Sequence, residues 1–130
     1  MPDTLDDLVA AATGLLVTSE SDYPFEPFRW PGPGPLTPET LLAHLGLPPA
    51  TPVELGDVER FFKSQSAVRD AGSPEGRTHA ARFAALGRRF ARLLTERSLY
   101  RVGAVEIQIF LTGRDAEGAI VGLRSTLIET

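Results

Sequence analysis

VEIQIFLTGRDAEGAIVGLRSTLIET, residues 105–130, is the stretch that decides the fold. From Val105 through Ile107 and Ile109 to Leu111, branched side chains alternate with others at a spacing of two. That is the period of a strand with one buried face. Residues 114–118, RDAEG, are rich in turn formers. From Ala119 to Thr130 a return strand follows, with Val121, Leu123 and Leu127 on one face. Two such runs joined by a short polar turn form a β-hairpin. Leu99–Val102 is the start of a further strand.

Upstream, the spacing predicts a long amphipathic helix from Arg77 to Arg97. Phe83, Leu86, Phe90, Leu93 and Leu94 form its apolar seam, and Arg82, Arg88, Arg89 and Arg92 fall mostly off it. Residues 63–76 are polar and rich in small residues, and read as a surface loop. Val58, Phe61 and Phe62 suggest a helical turn, and residues 52–56 a short strand. Thr37 caps a helix that has Pro38 at its first position, Leu41, Leu42 and Leu45 as its buried stripe, and Gly46 then Pro48 as its stop. A first helix covers residues 4–14, with Leu5, Leu8, Val9 and Ala12 on one face and Gly14 at its end. Thr4 is its candidate cap, with Asp7 as capping-box partner. Helices before and between strands, with an antiparallel hairpin, make an α+β layered domain.

Nine of the eleven prolines lie between Pro24 and Pro52. Proline at that density excludes a helix or a central strand from residues 19–35. Yet Tyr23, Phe25, Phe28 and Trp30 are too apolar for an idle loop. The segment is therefore expected as an extended edge or a loop packed on the core, with at least Phe25 and Phe28 inside.

The chain has 130 residues and a mass of 14.0 kDa, the size of a single domain, 1–130. It has no cysteine, which excludes disulfides, thiolate nucleophiles and cysteine-bound metals. No apolar run approaches the roughly 18 residues of a membrane span. The N-terminus carries acidic residues where a secretion signal carries basic ones, so a cytoplasmic protein is expected. The net charge is −4, unevenly spread. Residues 1–59 hold ten acidic side chains and one basic, whereas residues 60–101 hold three acidic and ten basic. A basic helix that faces solvent or pairs with the acidic half explains this pattern. An acidic face offered to a basic partner explains it too. A pI near 5.1 makes direct nucleic-acid binding a poor fit.

The search for catalytic machinery is mostly negative. His44 and His79 each stand alone, and there is neither an H-x-x-x-H pair nor a G-x-S-x-G elbow. Gly32 and Gly34 alternate with Pro31, Pro33 and Pro35, which have no N–H to offer a phosphate. Glu20, Asp22 and Glu26 cluster in one short segment, and Asp70 lies in the polar loop. A solvated loop, a partner-facing patch and acid–base catalysis all remain readings of these carboxylates. At the other end, a strand that runs to Thr130 would hold a carboxylate, a hydroxyl and the Glu129 side chain in fixed positions. Those are hard oxygen ligands of the kind Mg²⁺ accepts.

Several of these residues together resemble the nuclease A inhibitor family of bacterial proteins. They are Gly14-Leu15-Leu16, then Ser19-Glu20-Ser21-Asp22-Tyr23-Pro24-Phe25-Glu26 and Trp30. Phe61-Phe62, Tyr100-Arg101-Val102-Gly103 and Glu106 follow, and Gly118, Gly122 and Glu129-Thr130 close the match. The resemblance implies a three-layer α/β/α sandwich around an antiparallel sheet that includes the C-terminal hairpin. It also implies a function without turnover or a cofactor of its own. Members block a sugar-nonspecific DNA/RNA endonuclease whose centre holds Mg²⁺. The partner-binding residues it implies are Glu20, Asp22, Asp70, Glu129 and Thr130. Thr130 would be a ligand to the partner's Mg²⁺ in the complex only, and Glu20 would support that contact. The family's loop pairs an acidic residue with an aromatic one. Asp70 matches the first by its spacing from Phe61-Phe62, but the next residue is Ala71. Interface aromatics often dominate binding, so this departure leaves room for compensation by Trp30 or another aromatic, a different target or weaker affinity.

Three functional readings follow. The chain is a protein inhibitor of a Mg²⁺-dependent nuclease. Alternatively, it is a non-catalytic interaction module of the same fold with a non-nuclease partner. The third reading, an enzyme using Glu20, Asp22 and Glu26, requires those carboxylates to converge in a concave pocket. The first requires Glu20 and the chain end to meet at one stiff, accessible corner.

Overall fold

The computed structural model describes residues 4–30, 34–67 and 72–129. Asp70, Ala71 and Thr130 lie outside the described residues, as does the Pro31–Pro33 part of the proline-glycine run. The elements are α1 (Thr4–Ala12), β1 (Leu16–Thr18), β2 (Asp22–Pro24), β3 (Glu26–Trp30), α2 (Pro38–Leu45) and β4 (Val53–Gly56). They continue with α3 (Val58–Ser66), α4 (Pro74–Leu93), β5 (Thr95–Val102), β6 (Glu106–Arg114) and β7 (Ile120–Ile128).

Five strands form an antiparallel sheet in the order β3-β7-β6-β5-β4, and β1 and β2 form a separate antiparallel ribbon. The period of two sorts the sheet's side chains into two cores. Leu99, Ile107, Ile109, Leu111, Val121, Leu123 and Leu127 pack with α1, α3 and α4. Tyr100, Val102, Phe110 and Ile120 point the other way, onto Phe28 and onto Leu41 and Leu42 of α2. Three helices on one face and one on the other make the α+β, three-layer α/β/α sandwich that the resemblance implies.

The hairpin stands as read, with shifted limits: Val105 and Glu129 lie outside the strands. Val105, the first member of the alternating set, is exposed in the turn between β5 and β6. The aromatic, proline-rich segment is an edge, with Phe28 paired to Gly122 of β7. There a Cβ on residue 122 would stand 1.8 Å from the Leu111 carbonyl oxygen and 3.0 Å from the Phe28 ring. Only glycine lets that edge close. Pro27 sits in β3, an edge position where the absent N–H leaves no ladder bond unmade. Phe25 is half-buried against Phe61 and Phe83.

Other limits need correction. The first helix ends at Ala12, and Thr4 is already inside it. Residues 63–76 are not one loop: α3 runs on to Ser66, and α4 begins at Pro74. Ser73 caps α4 by accepting from the Gly76 amide at 2.9 Å. The long helix stops at Leu93 rather than Arg97. The Arg97 guanidinium turns back onto the carbonyls of Ala91 and Leu94, at 2.9 and 2.7 Å. The second helix is capped as expected by Thr37, with Thr40 completing a capping box and Gly46 at its C-terminus.

Candidate docking corner

The corner is built from both ends of the described chain. Its first part is the turn at Ser19–Ser21 that joins β1 to β2. Thr18, at the end of β1, is gripped by a side chain from α3. Its amide donates to Gln65 Oε1 at 2.8 Å, and Gln65 Nε2 donates to its carbonyl at 3.0 Å. Gln65 thus mimics the missing neighbour strand. It can do so because it falls three and four positions after Phe62 and Phe61, on the buried stripe of α3, where it is 6 % exposed. The Gln65 carbonyl in turn accepts from His79 Nε2 of α4, at 2.9 Å. His79 also packs on Phe83. Its part is structural.

Ser19 makes the decisive contact. Its hydroxyl donates to the Ser21 carbonyl at 3.2 Å and accepts from the Ile128 amide at 2.9 Å. The turn is thereby tied to the last residue of β7. One residue further, the Glu129 amide donates to the Val105 carbonyl at 2.9 Å. The Glu129 carboxylate pairs with Arg101 of β5 at 2.6 Å. Ser125 adds a fourth tie, with its hydroxyl 2.9 Å from the Pro24 carbonyl. The end of β7 is therefore held by backbone, hydroxyl and ion-pair contacts together.

Glu20 is exposed beside Ser19 in the turn, and Asp22 is exposed at the start of β2. Glu129 is exposed at the corner itself. The structure brings Glu20 and Glu129 to either side of one hydrogen-bonded pair. Glu26, the third carboxylate of the acidic cluster, departs into β3 and faces Arg124 of β7 across the ladder. A groove of about 700 Å³ opens beside the corner, between α3 and the β4–β5 side of the sheet. Ser19, Arg60, Gln65, Leu99, Arg101 and Glu129 are among its walls. Glu20, Asp22 and Glu26 do not line it, so the convergence that an acid–base site requires is not found there. Among the described residues, no three His, Asp or Glu side chains gather as a metal cage. No described helix is long and apolar enough to cross a membrane.

The family model for nuclease A inhibitor-like proteins matches residues 3–130. The chain belongs to that family. No curated protein matches it. Nuclease A inhibitor-like membership supports a nuclease-inhibitor role in general, with a nuclease as partner. It also gives the family's quoted residues a structural sense. Ser19 joins the ends, Arg101 holds Glu129, and Gly122 admits Phe28.

Sequence reading passed over Gln65, whose spacing after Phe61 and Phe62 was the available signal. It quoted Ser19 and Arg101 only as marks of resemblance. Trp30 is half-buried, with the Phe28 ring centre at 4.5 Å and the His44 imidazole stacked at 4.6 Å. Trp30 also lines the recess beside α2 with His44 and Leu47.

Proposed function

We propose that this protein blocks a Mg²⁺-dependent, sugar-nonspecific nuclease by seating the Ser19–Ile128 corner in the enzyme's active site. Such a site is built to receive an anionic phosphate beside a divalent cation, and carboxylates on a rigid frame can replace that phosphate. In this reading Glu20 meets the basic groups that otherwise hold the substrate. Thr130, one residue beyond Glu129, brings a hard oxygen to the enzyme's metal. Asp22, Asp70 and Glu129 add negative charge around the contact. The acidic first half steers the encounter, so association slows as salt rises. The protein itself turns nothing over and needs no cofactor, the Mg²⁺ being the partner's.

The observation that carries this reading is the 2.9 Å contact between Ser19 Oγ and the Ile128 amide. It holds the acidic turn and the strand end at one place before any partner arrives. A pre-ordered surface loses less to ordering when it binds.

The test is titration of the purified protein into a Mg²⁺-dependent, sugar-nonspecific endonuclease from the same cell. Inhibition is expected near one-to-one stoichiometry. Glu20→Ala and removal of Thr130 should each weaken it about tenfold or more. If both changes leave inhibition intact, the metal-bridging part is wrong. If the cell's captured partner is a non-nuclease and capture ignores chelators, the whole reading gives way to the interaction module.

A further inference from the structure

β4 is an edge of the five-stranded sheet, bonded to β5 on one side only. The Gly103 amide donates to the Pro52 carbonyl at 3.0 Å, in the register that pairs Val53 with Val102. Antiparallel pairing alternates bonded and non-bonded residues. Glu54 and Gly56 therefore spend their backbone groups on β5, and those of Val53 and Leu55 point to the open side. Among the described residues no hydrogen bond reaches them. The other edge, β3, is blunted by Pro27. β4 contains no proline, and its Leu55 side chain is 64 % exposed, the most of any described large apolar residue.

The strand is complementary to itself in one register. An antiparallel copy must set outward-facing residues opposite one another. A two-fold axis at Glu54 opposes two like charges at the closest spacing, about 4.5 Å between Cα atoms. An axis at Val53 sets Leu55 opposite Thr51, whose amide is spent on the Pro48 carbonyl. An axis at Leu55 avoids both faults. Leu55 then meets Leu55 of the copy, and the two exchange amide-to-carbonyl bonds. Glu54 lies opposite Gly56, which has no side chain. Val53 lies opposite Asp57, which is still extended at φ −109° and ψ 118°.

We infer that β4 pairs with β4 of a second copy, antiparallel and centred on Leu55, joining two sheets into one. Charge does not drive this association. Glu54, Asp57, Glu59 and Arg60 stand exposed near the seam. Arg101, across from Glu54, is engaged by Glu129. Glu96 and Arg97 share a recess with Leu55 and are tied to Arg114 and to the carbonyls of Ala91 and Leu94. Carboxylates are in excess there, and each copy carries a net charge of −4. The backbone bonds and the Leu55 pair must outweigh that repulsion, so the dimer is weak and tightens as salt screens it. Nothing in the pairing depends on the inhibitory reading.

Sedimentation of the wild type should show a dimer that grows with protein concentration and with added sodium chloride. Leu55→Pro removes an outward amide that the fold does not use, and Leu55→Lys sets like charges on the axis. Both should be monomers with melting temperatures close to wild type. Leu55→Lys keeps the backbone intact and decides should Leu55→Pro melt early. The chain has no cysteine, so a single introduced thiol reports the register. Under a mild oxidant Leu55→Cys should cross-link, since the paired Cα atoms would stand about 5.5 Å apart. Glu54→Cys, about 7–8 Å from its copy on the diagonal, and Val9→Cys on α1 should cross-link about tenfold more slowly or less. A wild type that stays monomeric up to about 1 mM overturns the inference. So does a dimer that survives Leu55→Lys, one that loosens as salt rises, or cross-linking that is fastest through Glu54→Cys or Val9→Cys.

Discussion

The hydroxyl oxygen of Ser19 accepts a hydrogen bond from the amide of Ile128 at 2.9 Å, across 109 positions of chain. Removing that oxygen tests the corner most directly. Ser19→Ala should cost about 1 kcal/mol. Amide exchange at Ile128 should quicken while the centre of β7 stays protected, and nuclease inhibition should weaken. Unchanged exchange at Ile128 would mean that the turn does not hold the strand end.

Gln65 is the support behind that contact. Gln65→Leu keeps the volume in α3 but strips both partners from the part-buried backbone of Thr18. Unpaired buried polar groups cost about 1–3 kcal/mol each, so a loss of about 2–3 kcal/mol in chemical unfolding is expected. A loss below about 0.5 kcal/mol would show that the grip is ornamental.

The pair of Arg101 and Glu129, with side chains 25 and 50 % exposed, is a weaker constraint. A double-mutant cycle with Arg101→Ala and Glu129→Ala should give a coupling of about 0.5 kcal/mol that shrinks with added salt. A coupling that ignores salt would contradict an ion pair open to solvent.

Gly122→Ala should be among the most damaging changes available. Its methyl group would enter the space of the Leu111 carbonyl, and relief requires β3 or β6 to move. We expect about 3 kcal/mol or more of destabilisation, with Phe28 losing its seat. A melting temperature close to wild type would refute the close approach.

Tyr100 is 4 % exposed, and its hydroxyl donates to the Leu36 carbonyl at 3.2 Å. Burial raises its pKa above the ordinary 10.0, against a smaller lowering by the Ser98 hydrogen bond. The unfolded chain therefore releases this proton first. The phenol's contribution to stability is full below pH 10 and is lost as pH climbs toward the folded value. Melting curves from about pH 8 to about pH 11 should show a steeper alkaline decline in wild type than in Tyr100→Phe. Parallel declines would exclude Tyr100 as the source.

The strands that sequence reading found best are those with one clean buried face. Ile107, Ile109 and Leu111 announce β6 because every second side chain must enter the helix-covered core. The beginning of β5 was hidden. Glu96 and Arg97 favour a helix, and the strand starts across a register shift between Thr95 and Ser98, with Glu96 at φ 49°. The end of α3 was hidden for a different reason. Lys63, Ser64 and Ser66 lie off its buried stripe, and an outward helix face carries no apolar signal. The Ser73-Pro74 start of α4 was read as loop, because the glycines at 72 and 76 and the polar residues around them carry no apolar stripe.

The corner was half legible. Glu20 and Glu129 were named from the family resemblance. The hydrogen bonds that bring their neighbours together join segments at opposite ends of the chain, which no local pattern encodes. Val105 was counted with the strand interior because alternation cannot tell the first strand residue from the last turn residue.

β7 pairs with β3, nearly a hundred residues earlier, and Ile128 closes onto Ser19. Contacts of such long range form late, since the intervening chain must first be gathered. Without β7 the chain has neither the neighbour that β3 pairs with nor the amide that Ser19 holds, so a truncated product that lacks β7 should be silent toward nuclease rather than partly active.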